Sequence, residues 1–204
     1  MLSLIRFADR TRAIADTGLD LLGVVEGARV PDLETFDSIY SWYGTHRPEF
    51  RDAVRHLPFT FFPALPPPAE GIPHIAVPPQ PVQNFAIIHP FASSPAKRWP
   101  LENFREVAAR LDIPVAWCTG PEEPLERAIK MDDLHELACW ISTARVYIGN
   151  DSGIAHLAAA AGTPVVSIFL ASDPRVWAPR GVGVTVLERP NVAEVVTAAR
   201  MALR

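Results

Sequence analysis

Arg145-Val146-Tyr147-Ile148-Gly149-Asn150-Asp151-Ser152-Gly153-Ile154-Ala155-His156-Leu157-Ala158-Ala159-Ala160-Ala161-Gly162-Thr163-Pro164-Val165-Val166-Ser167-Ile168-Phe169 is the stretch whose reading decides the fold. Arg145 to Gly149 is a short run dominated by apolar, β-branched and aromatic residues, and reads as a strand. Ile154 to Ala161 reads as a helix, closed by Gly162 because glycine takes the left-handed conformation that ends helices. Pro164 to Phe169 is a second apolar run and a second strand. Strands that are apolar throughout, joined by a helix, are the mark of a parallel sheet covered on both faces. Gly153 to Ala171 is apolar enough to suggest a membrane span. His156 and the Gly162-Thr163-Pro164 break divide it, and a buried helix–turn–strand pair explains it better.

The alternation extends in both directions. Phe85 to His89 and Pro114 to Cys118 read as strands, and so does Gly183 to Leu187. Leu101 to Leu111 carries apolar residues at helical spacing behind Pro100, a residue tolerated at a helix start. Pro124 to Met131 and Leu134 to Thr143 read as two further helices, and Asn191 caps a last one from Val192 to Leu203. Residues 83–204 are therefore expected to form a Rossmann-like α/β domain, a parallel sheet with helices on both faces. Residues 64–82, dense in proline, read as an extended linker. Residues 1–63 read as a small αβ unit: a helix from Arg6 to Thr17 ended by Gly18, strands at Asp37–Trp42 and Phe59–Phe62, and a helix at Pro48–His56 between them.

Composition narrows the function. The chain has 204 residues and a net charge of -4. No long basic run accompanies that charge, so no nucleic-acid partner is expected. Cys118 and Cys139 lie in apolar surroundings and read as buried free thiols rather than a disulfide framework. The first residues contain no apolar core long enough for a signal peptide. A cytoplasmic location is expected.

In open parallel sheets, ligands bind outside the carboxyl ends of strands. Three turns stand there. Asn150-Asp151-Ser152-Gly153 leads into a helix whose free amides and positive dipole end suit a diphosphate, and Gly153 lets a ligand approach the backbone. Taken alone, the same residues are an ordinary helix cap. Ser93-Ser94-Pro95-Ala96-Lys97-Arg98 offers hydroxyls and a cation for phosphate, or is a solvated loop. Thr119-Gly120-Pro121-Glu122-Glu123 offers carboxylates for ribose hydroxyls, or acids placed at a helix start. Their joint occurrence on one sheet points to one crevice.

Asp151, Ser152 and His156 are the residue types of a hydrolase triad. The serine is not in a Gly-x-Ser-x-Gly elbow, and no separate acid orients the histidine. Asp132, Asp133, His135 and Glu136 match no familiar metal-ligand spacing and read as a polar helix start, so no metal is expected.

The segment from about Phe85 to the end resembles glycosyltransferase family 9, the ADP-heptose:lipopolysaccharide heptosyltransferases. Asp151-Ser152-Gly153-Ile154-Ala155-His156 through Ala159-Ala160-Ala161-Gly162-Thr163-Pro164 resembles the family's Asp-Ser/Thr-Gly-x-x-His-x-x-Ala-Ala-x-Gly-x-Pro run. Ser93 to Pro100 resembles its hydroxyl turn followed by Lys-x-Trp-Pro. Phe169 to Gly181, with Asp173-Pro174, Trp177 and Pro179, resembles the loop that follows. The resemblance implies a GT-B-like architecture and a metal-free donor site with no cofactor other than the nucleoside diphosphate sugar, ADP-linked. Lys97 would neutralise the diphosphate with help from Ser93 and Ser94. Glu122 or Glu123 would hold ribose, and Met131 and Asp132 would sit near the base. Ser152, Gly153 and the helix amides would hold phosphates, Asp151 would lie near the donor sugar, and His156 would orient the turn.

Residues 1–63 are much smaller than the family's N-terminal domain. They lack its opening strand and glycine turn with the catalytic aspartate, so the resemblance assigns no catalytic residue here. His46 and Glu49 are the acceptor-side candidates, against a reading as a surface turn. Two functions are expected from different classes. One is a glycosyltransferase acting on a glycan or glycolipid acceptor of lipopolysaccharide type, at the inner face of the bacterial inner membrane. The other is a nucleotide-sugar-binding module without the chemistry. A reduced first unit also leaves apolar surface for a second copy to cover.

Overall fold

The computed structural model describes residues 8–63, 71, 73–121 and 123–204. The chain divides into two compact units, Met1–Ala69 and Glu70–Arg204.

The first unit holds β1 (Ile39–Ser41), α1 (Pro48–Ala53) and β2 (Phe59–Phe61). β1 and β2 pair in parallel, Ile39 opposite Phe59 and Ser41 opposite Phe61. The core is small: Leu22, Leu33, Phe50 and Val54. Phe50 is its hub, meeting Tyr43, Phe59 and Phe61 edge-on at 5.1, 5.9 and 6.3 Å. The helix expected from Arg6 to Thr17 does not form over the described residues. From residue 8 to Ala13 the chain is irregular, and one 3₁₀ turn follows at Ile14–Asp16 with no buried residue. A short helix needs a face to bury, and this segment has none.

The second unit is the expected α/β layer structure. Its elements are β3 (Ala86–His89), α2 (Leu101–Arg110), β4 (Val115–Trp117), α3 (Leu134–Ile141), β5 (Val146–Asn150), α4 (Gly153–Ala160), β6 (Val165–Phe169), α5 (Pro174–Trp177), β7 (Val184–Glu188) and α6 (Val192–Ala202). All five strands are parallel, in the order β4-β3-β5-β6-β7. Ala86 and Ile88, Val146 and Ile148, and Val166 and Ile168 share one core with Phe104 and Val107 of α2 and Val195 and Ala199 of α6. Successive strand residues face opposite ways, so Ile87, Tyr147, Val165 and Ser167 turn to the other face, where α4 packs on β5 and β6. Gly162 ends α4 at φ 87°, and Asn191 with Glu194 forms a full capping box on α6.

Two local departures have a physical cause. Pro124 to Met131 is not a helix: Ile129 bridges Cys118 in parallel, its amide donating to the Trp117 carbonyl at 2.8 Å. The unpaired edge of β4 outcompetes a helix for those backbone groups. The short α5 appears where no helix was expected, started by Asp173, whose side chain accepts from the Arg175 amide. Within the stretch read as a linker, 64–70 and 72 lie outside the described residues. From Pro73 onward the chain is irregular but tied to the second unit, Ile75 N donating to Ala160 O at 2.9 Å and Gln83 N to Thr143 O at 2.7 Å. No helix among the described residues is long and apolar enough to cross a membrane.

The strand order places a switch point between β3 and β5, where the chain leaves β3 for β4 on one side and returns to β5 on the other. A crevice opens there. At its base the backbone is packed tightly: a Cβ on Gly149 would stand 2.7 Å from the Tyr147 hydroxyl and 2.9 Å from the His89 carbonyl oxygen. Gly149→Ala is expected to lower stability by about 1–3 kcal/mol, the usual cost of overpacking a rigid site. A urea midpoint equal to that of the wild type would contradict this close packing.

Candidate functional site

The crevice holds a cavity of about 340 Å³. His89 lines it from the end of β3, Ala92 and Ser93 from the turn that follows, and Cys118, Thr119, Gly120, Pro121 and Glu123 from the turn after β4. Met131, Asp132, Leu134 and Leu137 come from the start of α3, and Ser152, Gly153 and Ile154 from the start of α4. The three turns singled out in the sequence thus meet.

Asn150 holds two of them together. Its side chain is fully buried. Oδ1 accepts from the Trp99 amide at 3.0 Å and Nδ2 donates to the Pro90 carbonyl at 2.8 Å. One side chain on β5 therefore grips both ends of the loop that carries Ser93, Ser94 and Lys97. Trp99 closes the loop against the core, edge-on to Phe104 at 5.0 Å, its indole N–H donating to Pro190 O at 3.2 Å.

Beside the turn into α4, and outside the cavity lining, Lys97 Nζ lies 2.7 Å from Asp151 Oδ2, and Ser172 Oγ donates to the same oxygen. The Asp151 carboxylate is nearly buried, 6% exposed, while Lys97 keeps 28% exposure. A buried carboxylate requires such partners, and the lysine remains within reach of solvent.

The cavity wall is unusual in its polar groups. His89 Nδ1, Thr119 Oγ1 and Ser152 Oγ of the lining, and Tyr147 Oη outside it, are buried and have no hydrogen-bond partner among the described residues. Unpaired buried polar atoms are rare in folded proteins and point to a strained or functional place. Burial pushes the Tyr147 phenol well above its ordinary value, so it stays protonated; the Ser152 hydroxyl beside it opposes the shift. Burial, with Glu123 nearby, pushes the Cys118 thiol up to about 12, so it stays protonated. Glu123 Oε2 accepts from the Gly120 amide at 2.6 Å and lies 3.5 Å from His89 Nε2. Desolvation would raise this carboxylate, but His89, the Gly120 amide and Arg98 together hold it below its ordinary value.

Gly153 opens α4 with nothing within 4 Å of where its Cβ would stand. Ser152, at the N-cap, makes no side-chain capping bond. The first turn is therefore not consumed by a side-chain cap, although the Ala155 amide donates to Ser152 O at 3.1 Å. Of the other candidates, Ser94 is half-buried at the start of the 3₁₀ turn Pro95–Lys97 but does not line the cavity. His156 is exposed on α4, outside the cavity lining, and its side chain makes no hydrogen bond among the described residues. Glu122 lies outside the described residues. His46 and Glu49 are exposed in the first unit. Asp133 caps α3 by accepting from the His135 and Glu136 amides, which is the polar helix start expected there.

His89, Thr119, Tyr147, Asn150 and Ser172 were not singled out as site residues by sequence. Polar side chains closing otherwise apolar strands, as His89 and Asn150 do, are a usable signal. Ser172 offers none.

The glycosyltransferase family 9 (heptosyltransferase) model matches residues 73–201. The chain belongs to this family. Lipopolysaccharide heptosyltransferase 3 of Escherichia coli is 30% identical over 116 residues, covering 48% of this chain and 34% of that protein. Among solved structures, the family 9 glycosyl transferase of Veillonella parvula DSM 2008 superposes with a TM-score of 0.54 at 21% identity, over 64% of this chain and 53% of that one. The E. coli ADP-heptose LPS heptosyltransferase II gives 0.50 at 20% identity, over 59% and 46%. The structural likenesses support the GT-B-like fold of family 9. The chain spans about a third of the curated relative's length and about half that of the two solved structures.

Two outcomes follow from the geometry. Asn150→Ala leaves the Trp99 amide and the Pro90 carbonyl without their partner and is expected to cost at least about 2 kcal/mol in chemical denaturation. Glu123 has a depressed folded value, so its contribution is present above the ordinary carboxylate value and is lost as pH falls through the folded one. Glu123→Gln is thus expected to lose less stability than the wild type between about pH 5 and pH 3. Parallel stability–pH curves would refute that coupling.

Proposed function

We propose that the second unit binds a nucleoside diphosphate sugar, ADP-linked, for transfer of the sugar to a glycan or glycolipid acceptor of lipopolysaccharide type at the cytoplasmic face of the inner membrane. The observation that carries the reading is the cavity at the β3/β5 switch point, walled by unpartnered buried polar groups and by the open first turn of α4. A helix N-terminus with free amides favours phosphate. In this reading Ser152, Gly153 and the first-turn amides take phosphate oxygens. Lys97, with Ser93 and Ser94 on its loop, neutralises the diphosphate without a metal ion. Asp151, already between Lys97 and Ser172, faces the donor sugar. Glu123, with Glu122 beside it in sequence, accepts from ribose, and Met131 and Asp132 border the base. Membership in a family of transferases favours transfer over a binding module without chemistry.

Calorimetry with ADP-, UDP- and GDP-linked sugars tests the donor site. The ADP-linked sugar is expected to bind, in EDTA as well as without it. Lys97→Ala should weaken binding at least about tenfold, the loss of a charge-assisted contact. Gly153→Ala should also weaken it while leaving the melting temperature equal or higher, because alanine is the better helix residue and nothing in the protein occupies that space. No binding of any nucleotide sugar, with Lys97→Ala inert, would sink the proposal. Release of ADP from ADP-heptose with a lipopolysaccharide-type acceptor tests transfer itself.

A further inference from the structure

We infer that His89 is a positioning residue for recognition of ribose hydroxyls, acting through Glu123; this rests on the nucleotide reading of the cavity. His89 ends β3, is 4% exposed and lines the cavity. Its ring lies nearly parallel to Tyr147 at 6.5 Å and 23°, which limits its rotation. Nδ1 has no partner among the described residues, while Nε2 is 3.5 Å from Glu123 Oε2. A neutral imidazole carries its proton on one nitrogen. With no partner at Nδ1 and a carboxylate at Nε2, Nε2 carries a proton that faces Glu123.

Glu123 Oε2 is thus addressed by two donors of different origin. The Gly120 amide at 2.6 Å belongs to the same turn, since the Glu123 amide donates to Gly120 O. It moves with the carboxylate. His89 stands on the central sheet and refers the carboxylate to the frame that also carries Ser152 and Gly153. Both contacts use Oε2, which leaves the lone pairs of Oε1 to accept from a ligand. A vicinal diol offers two O–H donors to such an acceptor, and a site built to hydrogen-bond hydroxyls rejects an analogue that lacks them. At 3.5 Å the His89 contact is longer than a full hydrogen bond. Its role is to direct the carboxylate rather than to touch the ligand.

The test compares ADP with 2′,3′-dideoxy-ADP by calorimetry on the full chain. The wild type is expected to prefer ADP by at least about tenfold. In His89→Asn the amide stands near the Nδ1 position and cannot reach Glu123. The preference should fall to within about threefold, through weaker ADP binding, with the dideoxy compound unchanged. In His89→Gln the amide nitrogen takes the Nε2 position and should restore most of the preference. A wild-type preference that survives His89→Asn overturns the role of His89 and leaves the nucleotide reading standing. A wild type that does not bind ADP, or binds both compounds equally, overturns the nucleotide and ribose reading itself. Should His89→Asn fail to fold, Glu123→Asp withdraws the carboxylate from His89 by one methylene. It is expected to collapse the preference in the same way, and an unchanged preference there overturns the inference.

Discussion

A fully buried amide must satisfy both its donor and its acceptor, and Asn150 does so through a single loop. Its two bonds, to Trp99 N and Pro90 O, fix both ends of the turn after β3 against the end of β5. The side of the crevice built by that turn inherits this geometry. Lys97 reaches Asp151 because its loop is held against the strand on which Asp151 follows Asn150. Ser93 lines the cavity for the same reason. The next residues along the chain, Ser152 and Gly153, begin α4, so one short segment supplies the clamp, the carboxylate paired with Lys97 and the open helix end.

The site is polar where the rest of the sheet is apolar. Hydrophobic residues fill both faces of the five strands, yet four of the buried polar atoms without partners gather beside the switch point. Each such group costs roughly 1–3 kcal/mol relative to a satisfied one. Local violations of packing rules concentrate where function requires them, and a ligand rich in phosphate and hydroxyl oxygens matches this set. Ser167 Oγ, also buried without a partner on β6, has no account in these terms. The Lys97–Asp151 pair behaves differently. Its lysine keeps partial exposure, so the cation can shift toward an anionic ligand while Ser172 still donates to the carboxylate.

Much of the second unit was legible in the sequence, because its evidence is local. Continuous apolar runs gave β3 to β7 to within a residue or two, and Asn191 and Gly162 marked helix ends by their own chemistry. The failures share a cause. Leu125, Ala128 and Ile129 have helical spacing, but the exposed edge of β4 claimed that backbone instead. The segment before Gly18 had no surface to pack on. For the site, the turns were found by position at strand ends, while His89 passed as the last residue of a strand and Asn150 as the first residue of a turn with no role of its own. Their importance lies in partners far along the chain, Glu123 for one and Trp99 with Pro90 for the other. His156, prominent in the family-like run, faces solvent.

The sequence by itself determined the class of the fold and the family, because hydrophobic periodicity, capping residues and the run from Asp151 to Pro164 are properties of neighbouring residues. Only the tertiary structure decided which turns meet. That depends on the strand order β4-β3-β5-β6-β7, which places β3 beside β5 although α2, β4 and α3 separate them in the chain. The pairing of Lys97 with Asp151 follows from that adjacency, and the contact of His89 with Glu123 from the pairing of β3 with β4. No spacing within a single segment encodes it.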